Sequence, residues 1–179
     1  VFALLSREIN DLHGKTLGII GKGSIGMKVG RIAKAFGMNI NYFSVRNYKK
    51  TQFLKFLSSL DYLSVHCPLN EKTKDLITIK ELKIMKKNMI LINTARGGIV
   101  NENDLTKALK QKIIAGAGID VTTSEPPKKS HAYYSILNEA NFIWTPHTAW
   151  ASNETLQEAI NQLIKNINSF YKGRKRNIV

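Results

Sequence analysis

The sequence contains little cysteine, little proline and few acidic residues. Its 179 residues include one Cys and 4 Pro, and 13 Asp+Glu stand against 27 Lys+Arg, which gives a formal net charge of +14. The single cysteine, Cys67, cannot form an internal disulfide, as is typical of proteins in a reducing cytoplasm. Because 43% of the residues are hydrophobic and only 12 are Gly, the composition excludes collagen-like and low-complexity classes and predicts a folded core.

Long hydrophobic runs are also missing. The longest apolar stretches, such as 16–20 and 89–92, are a few residues each, whereas a helix needs about 20 apolar residues to cross a bilayer. We therefore expect no membrane span. The first residues, 1–6, carry neither a basic leader nor an initiating Met, so we expect mid-protein sequence there and not a signal peptide.

The excess positive charge is spread along the chain. Lysine pairs occur at 49–50, 86–87 and 128–129, and one basic cluster occupies 174–176. Nucleic-acid readers rely on arginine forks and aromatic stacking platforms, and neither is evident. A solvated, lysine-rich surface is the favoured interpretation. DNA affinity that persists at physiological salt would be the signature of the alternative, because diffuse attraction fades as counterions are added.

Apolar, β-branched runs alternate with amphipathic stretches, which predicts a β-α-β-α series. We expect every strand to be apolar on both faces, as in a buried parallel sheet. The predicted strands are 16–20, 39–43, 62–66, 89–93, 115–120 and 142–145, and the predicted helices are 25–36, 51–60, 78–86 and 102–110. The fold class is therefore α/β, a Rossmann-type doubly wound parallel sheet with six main strands, whose ligand site lies at the carboxyl ends of the strands.

A long C-terminal helix is predicted over 152–171. Ser152 or Asn153 can cap it, and Glu154 favours its first turn. One apolar stripe, which must pack against something, consists of Leu156, Ile160, Leu163, Ile164 and Ile167. We expect a dinucleotide-binding domain over 7–150 and a C-terminal helical extension over 151–179.

A G-x-G-x-x-G motif follows the first strand and opens the first helix. Gly21 permits a tight turn, Gly23 lets the backbone approach a pyrophosphate, and Gly26 lets the helix lie close to the strand. The backbone N–H groups of Ser24 and Ile25, with the helix dipole behind them, supply an anion site. The motif in this context predicts a dinucleotide.

The coenzyme could be NAD or NADP. A carboxylate at the end of the second strand would bind the adenosine ribose and repel a 2′-phosphate, but Ser44 and Arg46 occupy this place. Both side chains can donate hydrogen bonds to a 2′-phosphate, which favours NADP as the coenzyme. Alternatively, Arg46 points into solvent and Ser44 bonds the ribose.

Four further motifs complete a recognisable set at the later strand ends. They are His66-Cys67-Pro68-Leu69-Asn70-Glu71-Lys72-Thr73, then Asn93-Thr94-Ala95-Arg96-Gly97-Gly98, then Asp120-Val121 with Glu125-Pro126, then Thr145-Pro146-His147-Thr148-Ala149-Trp150. Together with the glycine turn, they resemble the D-isomer specific 2-hydroxyacid dehydrogenases, and most closely the glycerate or hydroxypyruvate reductases. The resemblance runs from about residue 12 to the end.

The resemblance implies a catalytic triad for interconverting a D-2-hydroxy acid and a 2-oxo acid such as hydroxypyruvate or glyoxylate. Arg96 would bind the substrate carboxylate through its planar fork. His147 would act as acid and base at the reacting oxygen, because imidazole titrates near working pH. Glu125 would favour the imidazolium and orient the ring. We expect all three to leave strand ends at one edge of the sheet.

The resemblance also implies which residues line the coenzyme. Asp120 would accept a hydrogen bond from the nicotinamide carboxamide, and Cys67 would be a small packing residue without a redox role. The full expected set is Gly21, Gly23, Ser24, Ile25, Gly26, Ser44, Arg46, Cys67, Pro68, Thr73, Thr94, Ala95, Arg96, Asp120, His147 and Ala149. We expect no metal site, and we expect His13 and His131 to lie on the surface without a partner.

The resemblance implies a substrate domain whose first part precedes the segment found here, and we expect most of that part to be absent from the sequence. We therefore expect the chain by itself to bind reduced coenzyme and to turn over glyoxylate or hydroxypyruvate poorly. Family members usually dimerise through this domain, so a homodimer is expected. A non-catalytic coenzyme-binding or dimerisation fragment is the alternative.

Overall fold

The computed structural model describes residues 10–178 of the chain. The N-terminal segment 1–6 and the predicted domain start at residue 7 lie outside the described residues. The chain divides into two compact units, and the second begins at Pro146. The predicted boundary after residue 150 stays a prediction.

The first unit is built on a six-stranded parallel sheet with the order β2-β1-β3-β4-β5-β6. This confirms the predicted Rossmann-type fold, and each predicted strand end lies within one residue of the observed one. The strands are β1 (Thr16–Ile20), β2 (Asn39–Phe43), β3 (Tyr62–Val65), β4 (Ile90–Asn93), β5 (Gly116–Ile119) and β6 (Phe142–Trp144). The helices are α1 (Ser24–Ala35), α2 (Lys50–Ser58), α3 (Ile79–Leu82) and α4 (Glu102–Lys110).

Helices cover both faces of the central strand β1. Leu17 and Ile19 point to one face and pack with Ala33 of α1, whereas Ile20 points to the other and belongs to the main core with Phe53 of α2. This follows from the alternation of side chains along a strand. The sheet is therefore doubly wound, and its ligand crevice is expected at the carboxyl ends of β1 and β3, where the strand order reverses.

The expectation of strands buried on both faces is wrong for the two edge strands. Asn39 and Asn41 of β2 are exposed, and Ile143 of β6 is 68% exposed. Within residues 10–178 each of these strands pairs with one neighbour in the sheet, so part of its surface faces solvent. Apolar content alone did not distinguish edge strands from central ones.

The predicted helix over 78–86 is also wrong in length. Only α3, of four residues, is helical, and Thr78 caps it in a capping box with Glu81. The chain then leaves the helix, and Lys86 donates to Asp61 at 2.8 Å. Two short 3-10 helices, Val45–Asn47 and Ala132–Ile136, were not predicted.

The second unit consists mainly of helix α5 (Asn153–Tyr171). Ser152 caps it by accepting a hydrogen bond from Thr155 N–H, and Glu154 lies in the first turn, which confirms the predicted helix start. Within this unit no residue of α5 is buried, so its apolar stripe has no covering partner there.

Residues 10–178 contain neither a membrane-spanning helix nor a cluster of metal ligands. No helix in this range is long and apolar enough to cross a membrane. No group of three or more His, Cys, Asp and Glu side chains in the range could hold a metal ion.

Asp61 joins three segments at the amino edge of the sheet. Its carboxylate accepts hydrogen bonds from Thr16 N–H at 2.9 Å and from Lys86 Nζ at 2.8 Å. Burial by itself would raise the pKa of Asp61, but the hydrogen bonds from Lys86 and Thr16 outweigh burial, and the pKa lies below its ordinary value. The charged carboxylate is therefore stabilised in the folded state.

We expect Asp61→Asn to lower the free energy of unfolding by about 1–3 kcal/mol near neutral pH, because the variant leaves two donors poorly satisfied. A carboxyl group with a lowered folded pKa stabilises above its unfolded pKa, and this contribution is lost as pH falls through the folded pKa. The difference between wild type and variant should therefore shrink in acid, as measured by urea unfolding. Asp11→Asn, at an exposed position, is the matched control. A difference that persists unchanged in acid would contradict the account.

Candidate functional site

The exits of β1 and β3 touch each other at the carboxyl edge of the sheet. Gly21 follows β1 with a positive φ of 102°, and a Cβ built there would lie 2.4 Å from the carbonyl oxygen of His66, which follows β3. Only glycine tolerates both the dihedral angle and the contact. The first glycine of the motif is therefore required by the topology of the sheet at its switch point.

The other two glycines of the turn differ in what surrounds them. A Cβ on Gly26 would lie 2.2 Å from the carbonyl oxygen of Gly21, so the absence of a side chain lets α1 pack against the turn. A Cβ on Gly23 would meet nothing within 4 Å. Gly23 therefore borders open space, as expected where a ligand approaches the backbone.

The amino end of α1 has the properties of an anion site. No side chain caps the helix at Gly23, and its first turn contains no acidic residue. Ser24 and Ile25 are exposed, and Lys22 adds a positive charge while its Nζ lies 5.3 Å from the ring centroid of Tyr42. The orphan N–H groups of a helix start and the helix dipole favour a negative ligand. The turn therefore fits a diphosphate group.

Ser44 and Arg46 lie just beyond β2, and both are exposed. Ser44 Oγ accepts a hydrogen bond from Arg46 N–H at 3.4 Å. A cavity of about 490 Å³ is lined by Val45, Arg46, Asn70, Glu71 and Lys72. The cavity thus joins the exits of β2 and β3, and it contains two cationic side chains and one carboxylate.

The segment after β3 is held by Thr73. The side chain of Thr73 is fully buried, and its hydroxyl donates to Pro68 O at 2.7 Å and accepts from Asn70 N–H at 2.8 Å. Pro68 is exposed, whereas Cys67 is buried, and burial raises the pKa of the Cys67 thiol to about 11. The thiol therefore stays protonated, which is consistent with a packing role. The buried hydroxyl of Thr73 therefore fixes the conformation of the loop that follows β3.

The segment after β4 presents Thr94 and Arg96 to solvent. The buried side chain of Asn93 fixes this turn, because its Oδ1 accepts from Ala95 N–H and its Nδ2 donates to Arg96 O, both at 3.0 Å. The Arg96 guanidinium donates one hydrogen bond to Ala95 O at 2.7 Å. The planar fork retains further donors for a carboxylate.

The segment after β5 contains a buried and an exposed carboxylate. Asp120 is only 3% exposed, and its Oδ1 accepts from Thr145 Oγ1 at 2.5 Å. Glu125 is exposed, and its Oε1 accepts from Thr122 N–H at 3.0 Å. The structure therefore brings Asp120 to the end of β6 and anchors Glu125 to its own loop.

His147 and Ala149 belong to the second unit. His147 is partly buried and has a positive φ of 54°, and Ala149 is exposed. A positive φ is uncommon outside glycine, although histidine adopts it more often than most residues. Such conformations tend to occur at functional sites.

The expectation that His131 is a surface residue is wrong. Its side chain is 9% exposed, its Nε2 lies 2.7 Å from Glu102 Oε2, and its ring stacks on Trp144. His13, in contrast, is exposed as expected. The sequence gives no signal for the Glu102–His131 pair, because a carboxylate in the first turn of a helix is common for electrostatic reasons alone and because His131 is 29 residues further along the chain.

Comparison with known proteins gives one consistent answer. A family model described as the D-isomer specific 2-hydroxyacid dehydrogenase, NAD-binding domain, matches residues 4–149. Glycerate dehydrogenase of Methylorubrum extorquens is 42% identical over 182 residues, which cover 99% of this chain and 57% of the relative. Glyoxylate reductase of Thermococcus litoralis is 40% identical over 173 residues, which cover 90% of this chain and 50% of the relative.

A solved structure supports the same assignment. The NAD-complexed D-isomer specific 2-hydroxyacid dehydrogenase of Lactobacillus delbrueckii ssp. bulgaricus is 31% identical with a TM-score of 0.86, over 95% of this chain and 57% of that chain. The chain thus spans just over half the length of such relatives. Because the family model covers most of the chain, the chain belongs to the D-isomer specific 2-hydroxyacid dehydrogenases and contains their NAD-binding domain.

Proposed function

We propose that the chain is the coenzyme-binding part of an NAD(P)-dependent oxidoreductase that acts on the CH–OH group of a small D-2-hydroxy acid. In the reverse direction the enzyme would reduce a 2-oxo acid such as hydroxypyruvate or glyoxylate. Relatives named glycerate dehydrogenase, glyoxylate reductase and hydroxypyruvate reductase support this substrate class.

One observation carries the proposal. The amino end of α1 has neither a side-chain cap nor an acidic residue, and it opens beside Gly23, where a Cβ would meet nothing. Gly21 and Gly26 have no room for a side chain, so neither position places a side chain in the turn. Such an arrangement leaves backbone donors available for the diphosphate of a dinucleotide.

The reaction chemistry is divided among three side chains. Reduced nicotinamide supplies a hydride when it is bound. Arg96 binds the carboxylate of the 2-oxo acid through its guanidinium and fixes the orientation of the substrate. His147 would give a proton to the carbonyl oxygen, and Glu125 would serve as the carboxylate that orients the ring. Apart from these three, Asp120 would hold the nicotinamide carboxamide by accepting a hydrogen bond from it.

The cavity beside Arg46 bears on the choice of coenzyme. The position where a carboxylate would bind the ribose of NAD is occupied by Ser44, and Arg46 and Lys72 line the same cavity. Two cations favour a 2′-phosphate, whereas Glu71, which also lines the cavity, can bind ribose hydroxyls. We therefore propose that the enzyme accepts NADP(H) in preference to NAD(H).

The proposal includes a homodimer in the cytoplasm. Exposed apolar side chains on α1 and at its C-cap, among them Ile32 and Phe36, provide surface that a second copy could cover. The single, buried cysteine is compatible with a reducing compartment. The alternative of a non-catalytic coenzyme-binding fragment differs from the enzyme in turnover alone.

We expect Gly23→Ala to weaken coenzyme binding and Gly26→Ala to lower the free energy of unfolding. Gly23→Ala should leave the free energy of unfolding nearly unchanged but weaken NADH and NADPH binding on the order of tenfold or more, because the methyl group occupies the approach of the diphosphate. Gly26→Ala should destabilise by at least about 1–3 kcal/mol, since its Cβ meets backbone. Coenzyme titrations followed by protein fluorescence and urea unfolding measure both quantities.

Gly118→Ala is the matched control, because a Cβ there also meets nothing within 4 Å and Gly118 lies within β5. This control should bind coenzyme as the wild type does. Absence of saturable binding of either coenzyme to the wild-type chain would refute the proposed function.

Arg46→Ala should weaken NADPH binding while leaving NADH binding nearly unchanged. Loss of a charged hydrogen bond to a phosphate costs about 1.5–3 kcal/mol, which corresponds to roughly ten- to a hundredfold in the dissociation constant. The measurement is a paired titration with the two coenzymes. Arg31→Ala, an exposed arginine of α1, is the control. Tighter binding of NADH than of NADPH by the wild-type chain would contradict the proposed preference.

His147→Ala should lower the turnover of glyoxylate or hydroxypyruvate about 10²–10⁴-fold, because the variant lacks the proton donor. Oxidation of reduced coenzyme at high protein concentration measures it, and His13→Ala, at an exposed histidine, is the control. Turnover that survives unchanged in His147→Ala would sink the acid-base role. A wild-type chain that binds coenzyme without any turnover would instead identify the non-catalytic fragment.

A further inference from the structure

Glu102, the first residue of α4, binds two distant segments of the chain. Its Oε1 accepts from Thr123 N–H at 2.7 Å, and its Oε2 accepts from Thr123 Oγ1 at 2.8 Å. The same Oε2 lies 2.7 Å from Nε2 of His131. The side chains of Glu102 and His131 are 12% and 9% exposed. One shielded carboxylate therefore makes three hydrogen bonds across 21 and 29 residues of sequence.

His131 is itself fixed in orientation. Its Nδ1 accepts a hydrogen bond from Tyr133 N–H at 3.3 Å, which assigns the proton of the ring to Nε2 as the donor to Glu102. The ring stacks on Trp144, with centroids 5.6 Å apart and an interplanar angle of 24°. Burial raises the pKa of Tyr133, and the charge of Glu102 raises it further. Hydrogen bonds at both ring nitrogens and the stacked ring of Trp144 therefore hold His131 in one orientation.

The loop that Glu102 holds is the one that carries Glu125. Thr122 N–H donates to Glu125 Oε1 at 3.0 Å, and Thr122 Oγ1 donates to Ser124 O at 2.9 Å. A Cβ on Gly97 would lie 2.0 Å from the carbonyl carbon of Thr122. The backbone of the loop therefore lies directly against the residue that follows Arg96.

The contacts of Glu102 are not explained by capping of its own helix. Asn101 caps α4 by accepting from Asp104 N–H at 3.1 Å, and Asp104 accepts from Ile79 N–H at 2.9 Å. The carboxylate of Glu102 instead receives its donors from the 121–125 loop and from His131. Because these donors come from other segments, the contacts of Glu102 stabilise the 121–125 loop and His131, and not the first turn of α4.

We infer that Glu102, supported by His131, is a positioning residue that holds the Glu125 loop against the exit of β4, beside Arg96. The inference rests on the proposed role of Glu125. Without the Glu102 carboxylate, the N–H and hydroxyl groups of Thr123 would lose their acceptor. Glu125 would then no longer be held in one position. Preorganisation of this kind supports the geometry that a catalytic group requires.

The test is amide hydrogen exchange of the full chain with Glu102→Gln. Glutamine keeps one acceptor oxygen but replaces the other by an N–H₂ donor facing donors. We expect exchange at the Thr123 amide and at the Thr122 amide to accelerate on the order of tenfold or more. The Thr122 amide is the decisive probe, because its hydrogen bond goes to Glu125 Oε1, whereas Glu102 accepts from Thr123.

Asp104→Asn is the matched control, since it removes another first-turn carboxylate of α4 that accepts a distant backbone N–H. It should lower the free energy of unfolding without accelerating exchange at Thr122. Thr123→Ser, which keeps the hydroxyl donor, should retain slow exchange, and Thr123→Val should accelerate it. The Thr123 pair also decides the matter should Glu102→Gln fail to fold.

Unchanged exchange at Thr122 in Glu102→Gln or Thr123→Val would overturn the inference, and so would an equal acceleration in Asp104→Asn. Coenzyme binding by Glu102→Gln should remain within about threefold of the wild type, because the glycine turn is built from other segments. Failure of the proposed function would show as absent coenzyme binding in the wild-type chain, with the exchange result unaffected. The two failures are therefore distinguishable.

Discussion

The first unit depends on the close approach of two strand exits. The chain leaves β1 at Gly21, returns through β2 on one side and continues through β3 on the other, so the carboxyl ends of β1 and β3 form the crevice. Gly21 rests against His66 O, and Gly26 rests against Gly21 O. A side chain at either position would push α1 away from the sheet. Because Gly21 and Gly26 have no side chains, the amino end of α1 can lie at the crevice.

The same geometry explains why the remaining candidate groups come from separate parts of the sequence. The carboxyl ends of parallel strands lie at one edge of the sheet, so the segments after β4 and β5 lie at the same edge as the crevice. What they need is a fixed conformation. Asn93 supplies it for the Arg96 turn, and Glu102 supplies it for the Glu125 loop. Buried polar side chains with satisfied hydrogen bonds rigidify a site in this way.

The sequence predicted most of the fold because its strands are short, apolar and separated by helical periodicity. It failed where neighbours decide the outcome. Asn39 and Asn41 face solvent because β2 is an edge strand, and α3 is short where the chain leaves it for Asp61. The motifs at the strand ends predicted Arg96 and Glu125 as candidate site residues, but Glu102 and His131 gave no local signal because their pairing spans 29 residues. Spacing rules detect turns and helix faces, and they do not detect such long-range polar contacts.

The proposed function requires that the backbone at the start of α1 binds the diphosphate of a nicotinamide coenzyme. It is tested most directly by two-dimensional NMR of the isotopically labelled chain during titration with NADPH and NADH. We expect saturable shifts that are largest at the amides of Gly23, Ser24 and Ile25. Shifts confined to the lysine-rich surface, or no saturable shift with either coenzyme, would contradict it.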